Sequence, residues 1–231
     1  MTELPVVDYG KARDLQLRLV AERKTGVIDT DIVLMLEHPP VFTLGRRGGI
    51  ENLTVSKEFL EKEGVSVIQV ERGGDITFHG PGQIVAYPIL DLNETRLSVT
   101  DYVECLEEVM ICTAADWGVM AERNPINRGV WVDLKKLGSI GVAVRKGISF
   151  HGMALNVNLS LTPFSWINPC GLEGVAVTSL EKELEQKISM EQVRRRVKHH
   201  IERVFGVELV PKNLSELPRL QTALSPRVTS D

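Results

Sequence analysis

The chain has 231 residues, 43% of them apolar and 25% charged, which suits one globular domain with a sizeable core and excludes fibrous and disordered classes. A net charge of -4 offers no basic footprint for nucleic acid, no apolar run approaches a bilayer span, and Met1 to Asp8 has no basic leader, so a cytoplasmic protein without nucleic-acid or membrane partners is expected. The cysteines Cys105, Cys112 and Cys170 form no CxxC pair, which predicts free thiols and no metal.

In chain order, the first predicted element is a helix over Tyr9 to Lys24. Ala12, Leu15 and Leu19 fall on one face and Gly26 stops it. Ile32 to Leu36 and Val41 to Leu44 read as two short strands around the Pro39-Pro40 corner, because the residue before a proline disfavours helix. Val65 to Val70 and Ile84 to Leu90 are apolar strands flanking a glycine-rich loop. A long helix follows from Val99 to Trp117, capped by Ser98 and ended by Gly118, and both Cys105 and Cys112 lie in it as packing or surface residues.

Val130 to Asp133, Leu137 to Val144 and Ile148 to Leu159 read as a three-stranded meander with Lys146-Gly147 as its second turn. A two-residue turn there pairs Ser139 with Ala154 and Gly141 with Gly152, so small residues line adjacent strands at one spot. Ser189 and Gln192 open a last helix through Val193, Val197, Ile201 and Val204 to Gly206, with Arg194, Arg195, Arg196 and Lys198 as its solvated face. Beyond Val210 the periodicity ends. A single domain over residues 1–215 with a loose tail over 216–231 is expected.

Two segments carry reactive or recognition groups. The loop Arg72-Gly73-Gly74-Asp75-Ile76-Thr77-Phe78-His79-Gly80-Pro81-Gly82-Gln83 matches neither GxxxxGK[ST] nor GxGxxG. Its bare amides beside Arg72, Thr77 and His79 suit a carbonyl, an oxyanion or an extended chain, whereas a structural loop would use Arg72 against a carboxylate and His79 as a turn cap. In Trp166-Ile167-Asn168-Pro169-Cys170-Gly171 a lone cysteine sits between proline and glycine outside regular structure, which makes Cys170 the candidate nucleophile. A thiol attacks as thiolate, so it needs a partner; Lys136, His79 and His151 are the candidates, and spacing does not choose among them.

Taken with Leu36-Glu37-His38-Pro39-Pro40-Val41-Phe42-Thr43-Leu44-Gly45-Arg46, Lys136-Leu137-Gly138-Ser139-Ile140-Gly141 and Phe150-His151-Gly152-Met153-Ala154-Leu155-Asn156, these segments resemble the lipoyl(octanoyl) transferase family in content and order. The resemblance implies the α/β (α+β) fold of biotin and lipoate protein ligase catalytic domains, a mixed, largely antiparallel sheet flanked by helices. It also implies transfer of an octanoyl group from octanoyl-acyl carrier protein, through a Cys170 thioester with Lys136 as acid/base partner, to the acceptor lysine of lipoyl domains. Those domains would belong to 2-oxoacid dehydrogenase E2 subunits and the glycine cleavage H protein, and no cofactor is implied.

The same resemblance assigns substrate contacts to Arg72, Gly73, Gly74, Asp75, Ile76, Thr77, Phe78 and His79, to Ser139, Ile140 and Gly141, and to Gly152, Met153 and Ala154. An acyl pocket is expected against Gly73, Gly74, Gly141, Gly152 and Ala154, whose missing or short side chains leave room for a chain. Three rival readings are an ATP-dependent lipoate or biotin ligase, a cysteine acyl hydrolase using His79 or His151, and a non-catalytic acyl- or carrier-binding module.

Overall fold

The elements, in chain order, are β1 (Thr2–Val6), α1 (Tyr9–Thr25), β2 (Ile32–Glu37), β3 (Val41–Leu44), α2 (Lys57–Lys62), β4 (Ser66–Gln69), β5 (Ile76–His79), β6 (Gln83–Ile89), α3 (Leu92–Thr95), α4 (Val99–Ala115), β7 (Glu122–Arg123), β8 (Val130–Val132), β9 (Lys135–Arg145), β10 (Ile148–Asn156), β11 (Ala176–Val177), α5 (Leu180–Leu184) and α6 (Met190–Phe205). The structure is a computed structural model that describes residues 1–125, 127–168 and 176–213. The main sheet runs β1-β2-β6-β10-β9-β8-β7, with β11 on β9, and a small sheet runs β4-β3-β5. Among the described residues of the main sheet, only the β1–β2 and β11–β9 pairs are parallel; the rest are antiparallel.

Strand β2 shows why the sheet is covered on both faces. Val33 and Met35 enter one core with Tyr102, Leu106 and Met110 of α4 and Val193 and Val197 of α6, while Leu34 and Leu36 enter another with Ala12, Leu15 and Leu19 of α1. An apolar run without alternation is what a strand buried on both faces requires. The Pro39-Pro40 corner then carries the chain from the main sheet to the small one, where Phe42, Ile76 and Phe78 form a third core.

The β9–β10 register pairs Ser139 with Ala154 and Gly141 with Gly152, about a turn in which Lys146 and Gly147 take φ of 54° and 89°. Caps follow the sequence: Ser98 and Asp101 form a reciprocal capping box on α4, and Ser189 accepts from Gln192 N–H on α6.

Two expectations are corrected. Residues Ile76 to His79, read as part of a glycine loop, form β5 antiparallel to β3, because alternation is too short there to register against the flanking glycines. Arg194 and Arg196 are not merely solvated; they pair with Glu37 and Asp116 and tie α6 to β2 and to the end of α4. The chain after Val210 first returns to β1, where Val210 O accepts from the Met1 amine at 2.6 Å and Lys212 N–H donates to Met1 O at 3.0 Å. The segment 216–231 lies outside the described residues. No described helix is long and apolar enough to cross a membrane.

Candidate active site

A cavity of about 680 Å³ lies between the β9–β10 hairpin and the segment linking β4 to β5. That segment is held by long-range backbone bonds. Gly45, Arg46 and Arg47 donate their N–H groups to Asp75 O, Arg72 O and Gly74 O at 3.0 to 3.1 Å, and Gly73 N–H donates to Val142 O on β9 at 2.8 Å. The last bond crosses to the hairpin and closes one side of the cavity.

Of the expected substrate contacts, Arg72, Gly73, Gly74, Asp75, Ile76, Thr77, His79, Ser139, Ile140, Gly141, Gly152, Met153 and Ala154 all line this cavity, as does Lys136. Phe78 instead packs in the small core against Phe42 and Phe164, because alternation along β5 turns it away from Thr77 and His79. Cys170 falls in 169–175, outside the described residues, while Ile167 before it and Val177 after it both line the cavity. Cys105 and Cys112 are half-buried free thiols on α4; burial raises both pKa values, and Glu108 raises that of Cys112 further. Poor thiolate formers of this kind make poor nucleophiles.

Arg72 is 6% exposed. Its Nη2 donates to Thr43 O at 2.6 Å and to Thr43 Oγ1 at 2.8 Å, and Nη1 donates to Gly73 O at 3.1 Å. Thr43 Oγ1 thereby accepts from Arg72, which leaves its own hydrogen for His79 Nε2 at 3.5 Å. Gln83 Nε2 donates to Asn156 Oδ1 at 2.9 Å, so its Oε1 faces His79 Nδ1 at 2.7 Å and accepts that proton. Both ring nitrogens of His79 are engaged. Burial, then the nearby His38, holds its pKa well below the ordinary histidine value.

His38 donates from Nδ1 to Val7 O and accepts from Tyr87 OH at Nε2, and burial lowers its pKa to about 4. His151 is held by the Gln16 side chain, which accepts its backbone N–H at 2.7 Å while the residue sits at φ 57° inside β10. That is a left-handed conformation that costs on the order of 1–3 kcal/mol. Its side chain is 1% exposed, Tyr9 OH lies 3.4 Å from Nδ1, and burial followed by Arg72 lowers its pKa to about 4. These histidines are therefore neutral near pH 7.

Lys136 occupies the other end. The β9 register places Val142 opposite His151, six residues from Lys136, or about 20 Å along the strand. Lys136 pairs with Trp131 of β8 on one side and with Val177 of β11 on the other. Its Nζ donates to Asn127 Oδ1 at 3.0 Å and lies 5.3 Å from the Trp131 ring centroid.

The small residues have mixed reasons for being small. A Cβ on Gly152 would meet Ala86 O at 2.2 Å and one on Gly141 would meet Arg72 Cδ at 2.6 Å, so both are demanded by protein packing. Gly73 differs, since its nearest neighbour would be Val142 O at 3.5 Å. Tyr9, Arg47, Tyr87, Asn127 and Arg128 also line the cavity and were not among the expected contacts. Tyr9 was visible only as a helix start, and Asn127 sits in a connection with no periodic pattern.

Residues 8–202 match the lipoyl protein ligase A/B catalytic domain family. The chain is 49% identical to the octanoyltransferase of Desulfotalea psychrophila over 89% of this chain and 93% of that one. It is 46% identical to the octanoyltransferase of Syntrophobacter fumaroxidans over 95% and 96%. The fold is similar to that of the bipartite lipoate protein ligase of Thermoplasma acidophilum, at 16% identity and a TM-score of 0.72, with 91% of this chain and 85% of that one covered. With relatives this similar aligned over nearly the whole fold, the chain belongs to the octanoyltransferases of the lipoyl protein ligase A/B family.

Proposed function

We propose that this octanoyltransferase works through a thioester on Cys170, with Lys136 as the acid/base group, in one catalytic domain over residues 1–215. The observation that carries the reading is that Ile167 and Val177, the described residues nearest Cys170 that line the cavity, flank it in sequence, and that Val177 pairs with Lys136 itself. A hydrolase using His79 or His151 finds less support. His79 has both nitrogens engaged, and His151 lies about 20 Å along β9 from the Lys136 end.

In the first half-reaction Lys136 takes the Cys170 thiol proton, and the thiolate attacks the octanoyl thioester carbonyl of acyl carrier protein. The carbon–sulfur bond to the carrier breaks, and the departing thiolate receives the proton. In the second, the ε-amine of an acceptor lysine on a lipoyl domain attacks the Cys170 thioester. Lys136 removes a proton from that amine, the amide forms, and the Cys170 thiolate leaves and is reprotonated. Thioester-for-thioester exchange is nearly isoenergetic, and amide formation is downhill, so no nucleotide is required. Lipoyl domains of 2-oxoacid dehydrogenase E2 subunits and the glycine cleavage H protein are the proposed acceptors, in the cytoplasm.

Arg72, Gly73 to Thr77, His79, Ser139 to Gly141 and Gly152 to Ala154 are the proposed walls for the acyl chain, whose methylenes each gain about 0.8 kcal/mol on leaving water. Intact-mass spectrometry after incubation with octanoyl carrier protein tests the route. One added octanoyl group is expected on the wild type and none on Cys170→Ala. Retention of more than about a tenth of the transfer rate by Cys170→Ala would rule out the covalent route.

A further inference from the structure

A lysine side chain has a long, flexible stem, so a lysine that must meet a thiol needs something to hold its nitrogen. For Lys136 that contact comes from Asn127, in the connection between β7 and β8, through the 3.0 Å bond to Oδ1. The connection is fastened from behind by α4. Glu107 has 0% side-chain exposure, accepts the Gly129 N–H at 2.9 Å, and pairs with Arg128 Nη1 at 3.3 Å and Arg123 Nε at 3.4 Å. Trp131 Nε1–H donates to the Asn127 carbonyl at 3.1 Å. Gly129, at φ 124°, has no room for a Cβ, which would fall 2.8 Å from Lys136 Cε and 2.5 Å from Gly138 O. The lysine stem runs over that bare backbone.

A carboxylate buried on a helix face costs free energy unless paired, and an apolar residue would fill the same site on α4 at less cost. The groups satisfying Glu107 are the ones that shape the Asn127 connection. An amide oxygen, moreover, accepts from the lysine nitrogen in both its charged and neutral forms. A carboxylate in its place would hold the proton on the lysine. We infer that Asn127 and Glu107 are positioning residues for the transfer, Asn127 holding the Lys136 nitrogen at the cavity and Glu107 fixing the connection that carries Asn127. The inference rests on the reading of Lys136 as the acid/base group.

The test is the pH profile of octanoyl transfer from carrier protein to a lipoyl domain, with kcat and KM separated. Asn127→Ala is expected to lower kcat about tenfold with KM for the donor within about twofold. Asn127→Asp is expected to move the acidic limb of kcat up by about one pH unit or more, which a purely structural role would not do. Glu107→Ala should lower kcat comparably, Glu107→Gln should restore most of it by keeping an acceptor for Gly129 N–H, and the Glu107→Ala, Asn127→Ala double variant should be no slower than Asn127→Ala by more than about twofold. If Glu107→Ala does not fold, the Asn127→Asp limb decides. A limb that stays in place together with an unchanged kcat for Asn127→Ala overturns the positioning role, provided Lys136→Ala is inactive. Should Lys136→Ala still transfer, the underlying reading of Lys136 is what fails.

Discussion

The two ends of the cavity are built on opposite principles. At one end Arg72, His38, His79, His151, Tyr9 and Tyr87 are all buried, with nearly every polar atom committed to a protein partner. At the other, half-buried Lys136 rests against a side-chain amide and an indole, beside a connection held by arginines that reach solvent. Deep burial makes the first set rigid and keeps its histidines neutral, which suits a wall and a scaffold. The acid/base role proposed for Lys136 fits the end where water and partners have access. Stability and turnover should therefore separate between the two ends.

Acid should have the largest effect. His38 and His151 have folded pKa values of about 4, and that of His79 is also well below 6.5, so between pH 6.5 and 4 the unfolded chain binds protons that the folded chain does not. Stability then rises with pH across that window, and falls as pH drops from 6.5 toward 4 by on the order of 3 kcal/mol for His38 alone. Urea midpoints at pH 7, 5.5 and 4 should decline accordingly; a flat profile would mean the histidine end is wet.

Removing the central cation of the buried end comes next. Arg72→Leu leaves Thr43 O and Gly73 O without their donor and should cost on the order of 3 kcal/mol, with loss of transfer. By contrast Lys136→Ala should stay within about 0.5 kcal/mol of wild type in thermal denaturation while abolishing transfer. Equal losses of stability in both variants would erase the contrast.

Glycine substitutions probe the wall between the ends. Gly152→Ala forces a contact on Ala86 O and should cost about 1–3 kcal/mol. Gly73→Ala would make only an ordinary van der Waals contact with Val142 O at 3.5 Å, should cost less than about 1 kcal/mol, and should shift donor preference from eight carbons toward six. Competition assays with six-, eight- and ten-carbon carrier thioesters would read that shift, and an unchanged ranking would move the acyl chain away from Gly73. The smallest effects belong to Cys105→Ala and Cys112→Ala, which should remain fully active because both thiols lie on α4 away from the cavity lining.

By itself the sequence determined what neighbouring residues decide. The Lys146-Gly147 turn set the β9–β10 register, Ser98 and Ser189 set helix starts, the Pro39-Pro40 corner separated two strands, and five short motifs in order pointed to the family. Each of these depends on backbone preferences within a few residues, so it is written locally. Tertiary structure alone decided that Ile76 to His79 join β3 as a strand, that Phe78 turns into the small core against Phe42, and that α6 is tied to β2 through Arg194 and Glu37. It alone brought Glu107 of α4 to the connection that holds Lys136. Those partners are separated by long stretches of chain, and a hydrogen bond or ion pair across such a gap leaves no period in either segment. Only packing both helix layers onto one sheet brings the groups within bonding distance.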